Sequence, residues 1–341
     1  MSASNQKGSM QKTLSLWNFF TIGFGAIIGT GWVLMVGDWM IIGGGPVAAM
    51  IAFIIGAVFL LPIGAVFGEL TAAIPISGGI VEYVDRTYGN TMSYITGWFL
   101  ALGNAILCPW EAIAISTLVS DMFGDLFPIL RSIKLYSIMG ADVYLLPTVI
   151  ALSFAVYVII QNFRGASAAA SLQAFLTKAL LCGMILAMGR KGQLPRSFAE
   201  VDPVSGTPKT ANILLAVLTV IGPFLGKKML VPLTNVSALA FIFACTMVSF
   251  SCYKMRLTEP DLPRPYKVPG GKFGISLACL AGSLIVLLMI VPGSPATLNA
   301  VEWSIVLGWL AIGLIIKTLH RNKTSGSTTI PISIDDTQIH K

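Results

Sequence analysis

The sequence predicts an all-α, polytopic helical membrane protein, and three observations carry that prediction. Hydrophobic residues make up 55% of the chain and charged residues only 11%. The mean hydropathy is +0.81, which ordinary water-soluble domains do not reach. Runs free of Asp, Glu, Lys and Arg are long enough to cross about 30 Å of hydrocarbon, which takes roughly 20 helical residues. These runs are continuous, whereas a transmembrane barrel would need short alternating segments. The formal charge of +7 sits in short loops and tails, where the positive-inside rule accounts for it. No nucleic-acid partner is implied; the implied surroundings are the lipid bilayer of a cell membrane.

In chain order, residues 1–13 form a polar N-tail with Lys7 and Lys12, expected on the cytoplasmic side. The apolar run behind them lacks a small-residue cleavage site and reads as a retained first helix, not a signal peptide. Spans follow at about Leu16 to Val36, Met40 to Phe67, Ser93 to Val119 and Leu145 to Ile160. Gly43-Gly44-Gly45-Pro46 opens the second, where Pro near a first helical turn costs little. A polar connector, 68–91, follows it, and a longer charged loop, 120–144, follows the third. Ala166 to Met188 is a run with one internal base, Lys178, and a strongly basic loop closes it. The later spans are about Ala211 to Gly226, Met229 to Ser251, Phe273 to Val291 and Val301 to Ile316. A proline-rich basic connector, 253–272, separates the second and third of these, and a Ser/Thr-rich tail from Lys317 is expected to be disordered.

The first span contains Gly23 to Gly31, with four glycines and no charge. Each Gly gives up about 1 kcal/mol of helix propensity relative to Ala. Two readings are open. Irregular backbone at mid-membrane depth is tolerated where it lines a wet cavity, which suggests a site for a small polar solute. Alternatively, small residues permit close helix packing. Five cysteines, odd in number, lie in or at the ends of apolar runs without metal-ligand spacing, and the two histidines, His320 and His340, lie in the tail. No metal site, no cofactor and no enzyme active site is expected.

The connectors carry a resemblance. Gly25-Ala26-Ile27-Ile28-Gly29-Thr30-Gly31, the Gly-Gly-Pro opening of the second span, and Gly68-Glu69-Leu70 through Pro75, Ser77, Gly78 and Gly79 with Tyr83 and Gly89 are three matching features. Three more are Met188-Gly189-Arg190-Lys191-Gly192-Gln193-Leu194-Pro195, Gly206-Thr207-Pro208, and Pro260-Asp261-Leu262-Pro263-Arg264-Pro265. In this order they resemble the amino acid permeases of the amino acid, polyamine and organocation transporter superfamily, over nearly the whole chain. The resemblance implies an inverted-repeat, LeuT-like transporter fold in which helices one and six are broken and face each other across an amino acid substrate. It makes Gly25, Ala26, Ile27, Ile28, Gly29, Thr30 and Gly31 the substrate-binding stretch. The amides of Thr30 and Gly31 would receive the carboxylate, and the carbonyl of Ile27 would accept the ammonium. Free N–H groups at a half-helix N-terminus suit an anion.

Such proteins have about twelve helices, whereas this chain reads as about nine. The match places the gap: residues 14–182 resemble helices one to five and 183–316 the end of helix eight and helices nine to twelve. The second half of helix five, all of six and seven, and most of eight are then missing, with a join near 183–186. Alternation with a crossing at 166–188 would set the basic C-terminal connectors outside, against the positive-inside rule. Either that segment fails to cross cleanly or the C-terminal half is held upside down.

Of single residues, Glu111 and Lys178 are the candidates for proton coupling. An intramembrane carboxylate is costly unless paired or facing a cavity, and Lys178 looks like the lysine that replaces sodium in proton-coupled relatives. Asn104 is a pocket candidate, with hydrogen bonding between helices as its alternative. Glu69 is expected to cap or to pair with Arg86. The function implied is amino acid transport by a secondary transporter, proton-coupled or exchanging. The competing class is a non-transporting membrane remnant or interaction subunit.

Overall fold

A computed structural model describes residues 30–76, 78–164 and 209–324. Eight α-helices lie among them, with one two-stranded hairpin. Helix α1 (Thr30–Ile42) leads into α2 (Pro46–Ala73). The turn between them uses Gly44 and Gly45 at φ 79° and 131°, backbone that only Gly adopts without strain. The second span therefore starts at Pro46 rather than Met40, and it continues past Phe67 because Leu70 and Glu69 are buried by neighbours.

Helix α3 (Ile80–Phe123) is kinked at Gly89, φ 77°. It begins inside the stretch expected to be a connector. The loop expected at 120–144 contains a short 3₁₀ turn (Pro128–Arg131) and the hairpin β1 (Lys134–Ile138) and β2 (Ala141–Tyr144). Met139 and Gly140 make its two-residue turn, both at positive φ, as the twist of a tight hairpin requires. Helix α4 (Leu145–Arg164) follows, then α5 (Lys209–Ile221), two 3₁₀ turns, α6 (Leu230–Thr258), α7 (Lys272–Ile290) and α8 (Ala300–Thr324). Helix α8 runs beyond Lys317, where a disordered tail was expected. Five helices among the described residues are long and apolar enough to cross a membrane. Part of the expected nine-span count, including Ala166 to Met188, lies outside the described residues.

The core forms where α3 meets α6, with α7 packed on α6 and α2. Helix α8 is fastened to α3 by two indoles. Trp98 and Trp309 stack at 4.7 Å, and each ring N–H donates to the other residue's carbonyl, at 2.9 and 3.0 Å. By contrast, the α2 stretch Val47 to Leu61 is exposed around most of its circumference.

The packing fixes which connectors share an end. The Arg86 guanidinium, near the start of α3, pairs with Glu259 beyond α6, at 2.5 Å. Glu69, near the end of α2, pairs with Arg256 and Arg264. At the opposite end, Lys227 pairs with Asp121 at 2.5 Å, and the Tyr136 hydroxyl donates to the Phe224 carbonyl at 2.6 Å. Helix α4 starts at this second end and, at 20 residues, runs about 30 Å away from it. Helix α5 returns, from Leu214 and Leu215 beside Val81 and Tyr94 up to Gly222 against Pro109. The chain thus leaves α4 and rejoins α5 at the same end. That end also holds Arg86, Lys254, Arg256, Arg264, Lys267 and Lys272, and the positive-inside rule makes it cytoplasmic. The 291–299 connector, without Lys or Arg, falls outside. The ion pairs set the basic C-terminal connectors at the same end as the Arg86 connector, the arrangement that the charge rule favours over an inverted C-terminal half. Matching ion pairs hold both halves to one polarity.

Candidate functional site

Of the predicted site residues, Gly25, Ala26, Ile27, Ile28, Gly29 and Lys178 lie outside the described residues. Thr30 and Gly31 open the described part of α1. That helix packs on α3 and sends Met35 into the main core, where it is 2% exposed. Asn104 is buried in α3, and its side-chain amide donates to the Leu100 carbonyl at 2.8 Å. One turn of a helix separates this pair, so the bond is local and ties Asn104 to its own backbone. The neighbouring Gly103 carbonyl accepts from the Ser237 hydroxyl of α6 at 3.0 Å. A Cβ on Gly103 would press on the Phe241 ring at 3.1 Å, so glycine permits the α3–α6 approach here. Glu111 is half-buried two turns on from Asn104 in the same helix. Between them Trp110 reaches α6, donating its ring N–H to the Thr234 hydroxyl at 3.0 Å and the Leu230 carbonyl at 3.2 Å. The structure thus brings Thr30, Gly31, Asn104 and Glu111 onto two packed helices, α1 and α3.

Glu69 is where the structure departs from expectation. It does not pair with Arg86. Its carboxylate is 0% exposed and accepts from Arg256 at 2.7 and 2.6 Å and from the Val268 amide at 2.8 Å. The Arg264 Nε lies 3.3 Å away. A carboxylate this deep needs several donors, because a buried charge is tolerated only when paired and hydrogen-bonded. Arg86 instead grips the exposed Glu259. The sequence placed Glu69 correctly at a helix end, but the true partners lie almost two hundred residues away, beyond any local pattern.

A second buried carboxylate, Glu302, was missed. Its side chain accepts from Asn235 at 2.7 Å and from the Asn299 amide at 2.7 Å, and the Asn299 side chain accepts from the Glu302 amide at 3.0 Å. This reciprocal cap was readable from Asn299-x-x-Glu302 ahead of an apolar run. At the outer end, Lys134 and then Ser137 donate to Asp142, and those bonds hold its carboxyl below the ordinary carboxylate value. Among the described residues no cluster of His, Cys, Asp and Glu could hold a metal ion.

Apolar spans of one polarity, a scaffold centred on α3 and α6, and buried polar groups spent on fastening helices define a multi-pass integral protein of the cell membrane. The amino acid permease family profile matches residues 14–188 and 179–312, and the chain belongs to that family. It is similar to an aspartate-proton symporter of Bacillus subtilis (strain 168), 32% identical over 36% of this chain and 23% of that protein. It is also similar to the glutamate/serine transporter AimA of the same organism, 30% identical over 31% of this chain and 19% of the relative. A methylthioribose transporter, again from Bacillus subtilis (strain 168), is 32% identical over 30% of this chain and 22% of its own length. The matched stretches span less than a quarter of each of these relatives. They are transporters rather than enzymes.

Proposed function

We propose that this chain moves amino acids across the membrane as a secondary transporter, proton-coupled or exchanging. The observation that carries the reading is the match of one permease profile to both halves of the chain, 14–188 and 179–312. The substrate's carboxylate meets the amides of Thr30 and Gly31 and its ammonium meets the carbonyl of Ile27, within Gly25, Ala26, Ile28 and Gly29. Asn104, bonded to its own helix backbone, is assigned to the pocket as well. Lys178 and Glu111 are the groups assigned to proton movement, a role supported by the symporter among the similar proteins.

The chain is shortened inside, on the same reading. Residues 179–188 are matched twice, as the end of one segment and the start of the next, which supports a join within them. The exposed circumference of α2 between Val47 and Leu61 fits a helix that has lost neighbours. Uptake of radiolabelled amino acids into proteoliposomes, with and without an inward proton gradient, tests the proposal. Accumulation above empty vesicles, larger with the gradient for a symporter and independent of it for an exchanger with preloaded substrate, is expected. No accumulation with any of the twenty amino acids would leave a non-transporting membrane protein.

A further inference from the structure

The outer end holds a cavity of about 360 Å³ between the last turns of α3, the β1–β2 hairpin and the turn before α6. That is the lower range of small-molecule pockets. Its rim carries both signs of charge, with Arg131 and Lys227 as cations and Asp121 and Asp142 as carboxylates. Its wall carries the hydroxyls of Ser116 and Thr117. Thr117 is only 6% exposed, and no group among the described residues hydrogen-bonds its hydroxyl. The other buried helical threonines Thr96, Thr148, Thr219 and Thr246 each donate to the carbonyl four residues back, at 2.7 to 2.8 Å. Thr117 does not, so a buried polar group faces the cavity with nothing to bond.

We propose that this cavity is a reception site for a zwitterionic amino acid, rimmed by Arg131 and Lys227 for its carboxylate and Asp121 and Asp142 for its ammonium, with Thr117 bonding it from the wall. It rests on the transport reading above and is distinct from the Gly25–Gly31 stretch. A simple anion would meet the two carboxylates, and a simple cation would meet the two bases. The rim charges are themselves paired, Lys227 with Asp121 at 2.5 Å and Asp142 with Lys134 at 2.7 Å, and a solute carrying both charges close together can take the place of a partner on each side without leaving a like charge unpaired. Arg131 is anchored by the Ser120 carbonyl at 2.7 Å, while its carboxylate partners are looser: Asp125, at 3.1 Å, has an 89% exposed side chain, and Asp121 stands 3.9 Å away.

The test uses the full chain in lipid nanodiscs carrying Ser116→Cys, with the reaction rate of a charged methanethiosulfonate as readout and the parent chain as background. An equimolar mixture of the twenty amino acids near saturation is expected to slow modification about fourfold, as occupancy leaves about a quarter of the sites open. Lactate and ethanolamine, each with one of the two charges, leave the rate unchanged. Arg131→Gln and Thr117→Val weaken protection, and Gly29→Val leaves it intact. An unchanged rate in the mixture would overturn the site in favour of a water-filled hollow. Protection by lactate alone, or protection lost in Gly29→Val but kept in Arg131→Gln, would overturn it equally. Uptake measured on the same preparation separates the two proposals: uptake without protection sinks this site alone, and protection without uptake upholds the site and sinks transport.

Discussion

Glu69 has four sources of donors, Arg256, Arg264, the Val268 amide and the Cys252 thiol, and its side chain is 1% exposed. Removing its charge leaves the Arg256 and Arg264 guanidinium groups without their buried counter-ion. Breaking such a pair costs about 3 to 5 kcal/mol. Glu69→Gln should therefore lower the thermal midpoint of the purified protein strongly, as followed by tryptophan emission in detergent. The exposed partners give the contrast. Arg86 and Glu259 are 43% and 28% exposed, so Arg86→Ala should cost no more than about 1 kcal/mol. Equal losses from both variants would mean that burial is not what makes the Glu69 cluster matter. At this scale the sequence was informative about kind and poor about partner. A lone acid at the end of an apolar run had to be paired, but spacing alone could not point to residues beyond α6.

The elements are held at close crossings that glycine permits. A Cβ on Gly222 would collide with the Pro109 carbonyl and α-carbon, backbone that cannot swing aside, so the end of α5 can approach α3 only without a side chain. Gly222→Ala should separate these helices and reduce the midpoint, whereas Gly308→Ala in α8, with nothing within 4 Å of the added carbon, should leave it unchanged or slightly raised by helix propensity. Matching effects from the two would remove the crossing as an explanation. The helices themselves were readable from their apolar runs, and the α4, α6 and α7 boundaries came within a few residues of expectation except at the long C-terminal end of α6. The hairpin was not readable. Its turn pairs Met139 with Gly140, where the strong signal would be Asn or Asp before Gly, and its strands mix charged with apolar residues. The kinked start of α3 was hidden too, because Glu82, Asp85 and Arg86 look like a loop until Arg86 meets Glu259 at the end of α6.

Taken whole, the molecule resolves a conflict that the sequence posed. Counting crossings through 166–188 placed the basic C-terminal connectors outside, whereas their charge placed them inside. The ion pairs decide for charge. Arg86 with Glu259, and Glu69 with Arg256, join the α2–α3 connector to the α6–α7 connector, and two connectors bonded to each other cannot lie on opposite faces of a bilayer. Residue 296, in the connector without Lys or Arg, lies at the far end, beyond the cap formed by Asn299 and Glu302. Thr258 and Ala296 are both exposed, so single cysteines there report the two faces without disturbing the core. In intact cells, an impermeant maleimide should label Ala296→Cys directly and Thr258→Cys only after the membrane is opened. Labelling of Thr258→Cys from outside would set this end of α6, and with it the Glu69 and Arg86 pairs, on the face opposite to the one that the basic connectors favour. Combining Thr258→Cys with Glu69→Gln and Arg86→Ala then separates the causes of polarity. If the pairs maintain the orientation, outside labelling appears in the triple variant. If the lysines and arginines of the connector set it during insertion, labelling stays inside even as the protein loses stability. The positive-inside rule acts on loop charges during insertion, before α6 can find α2, so the second outcome is expected.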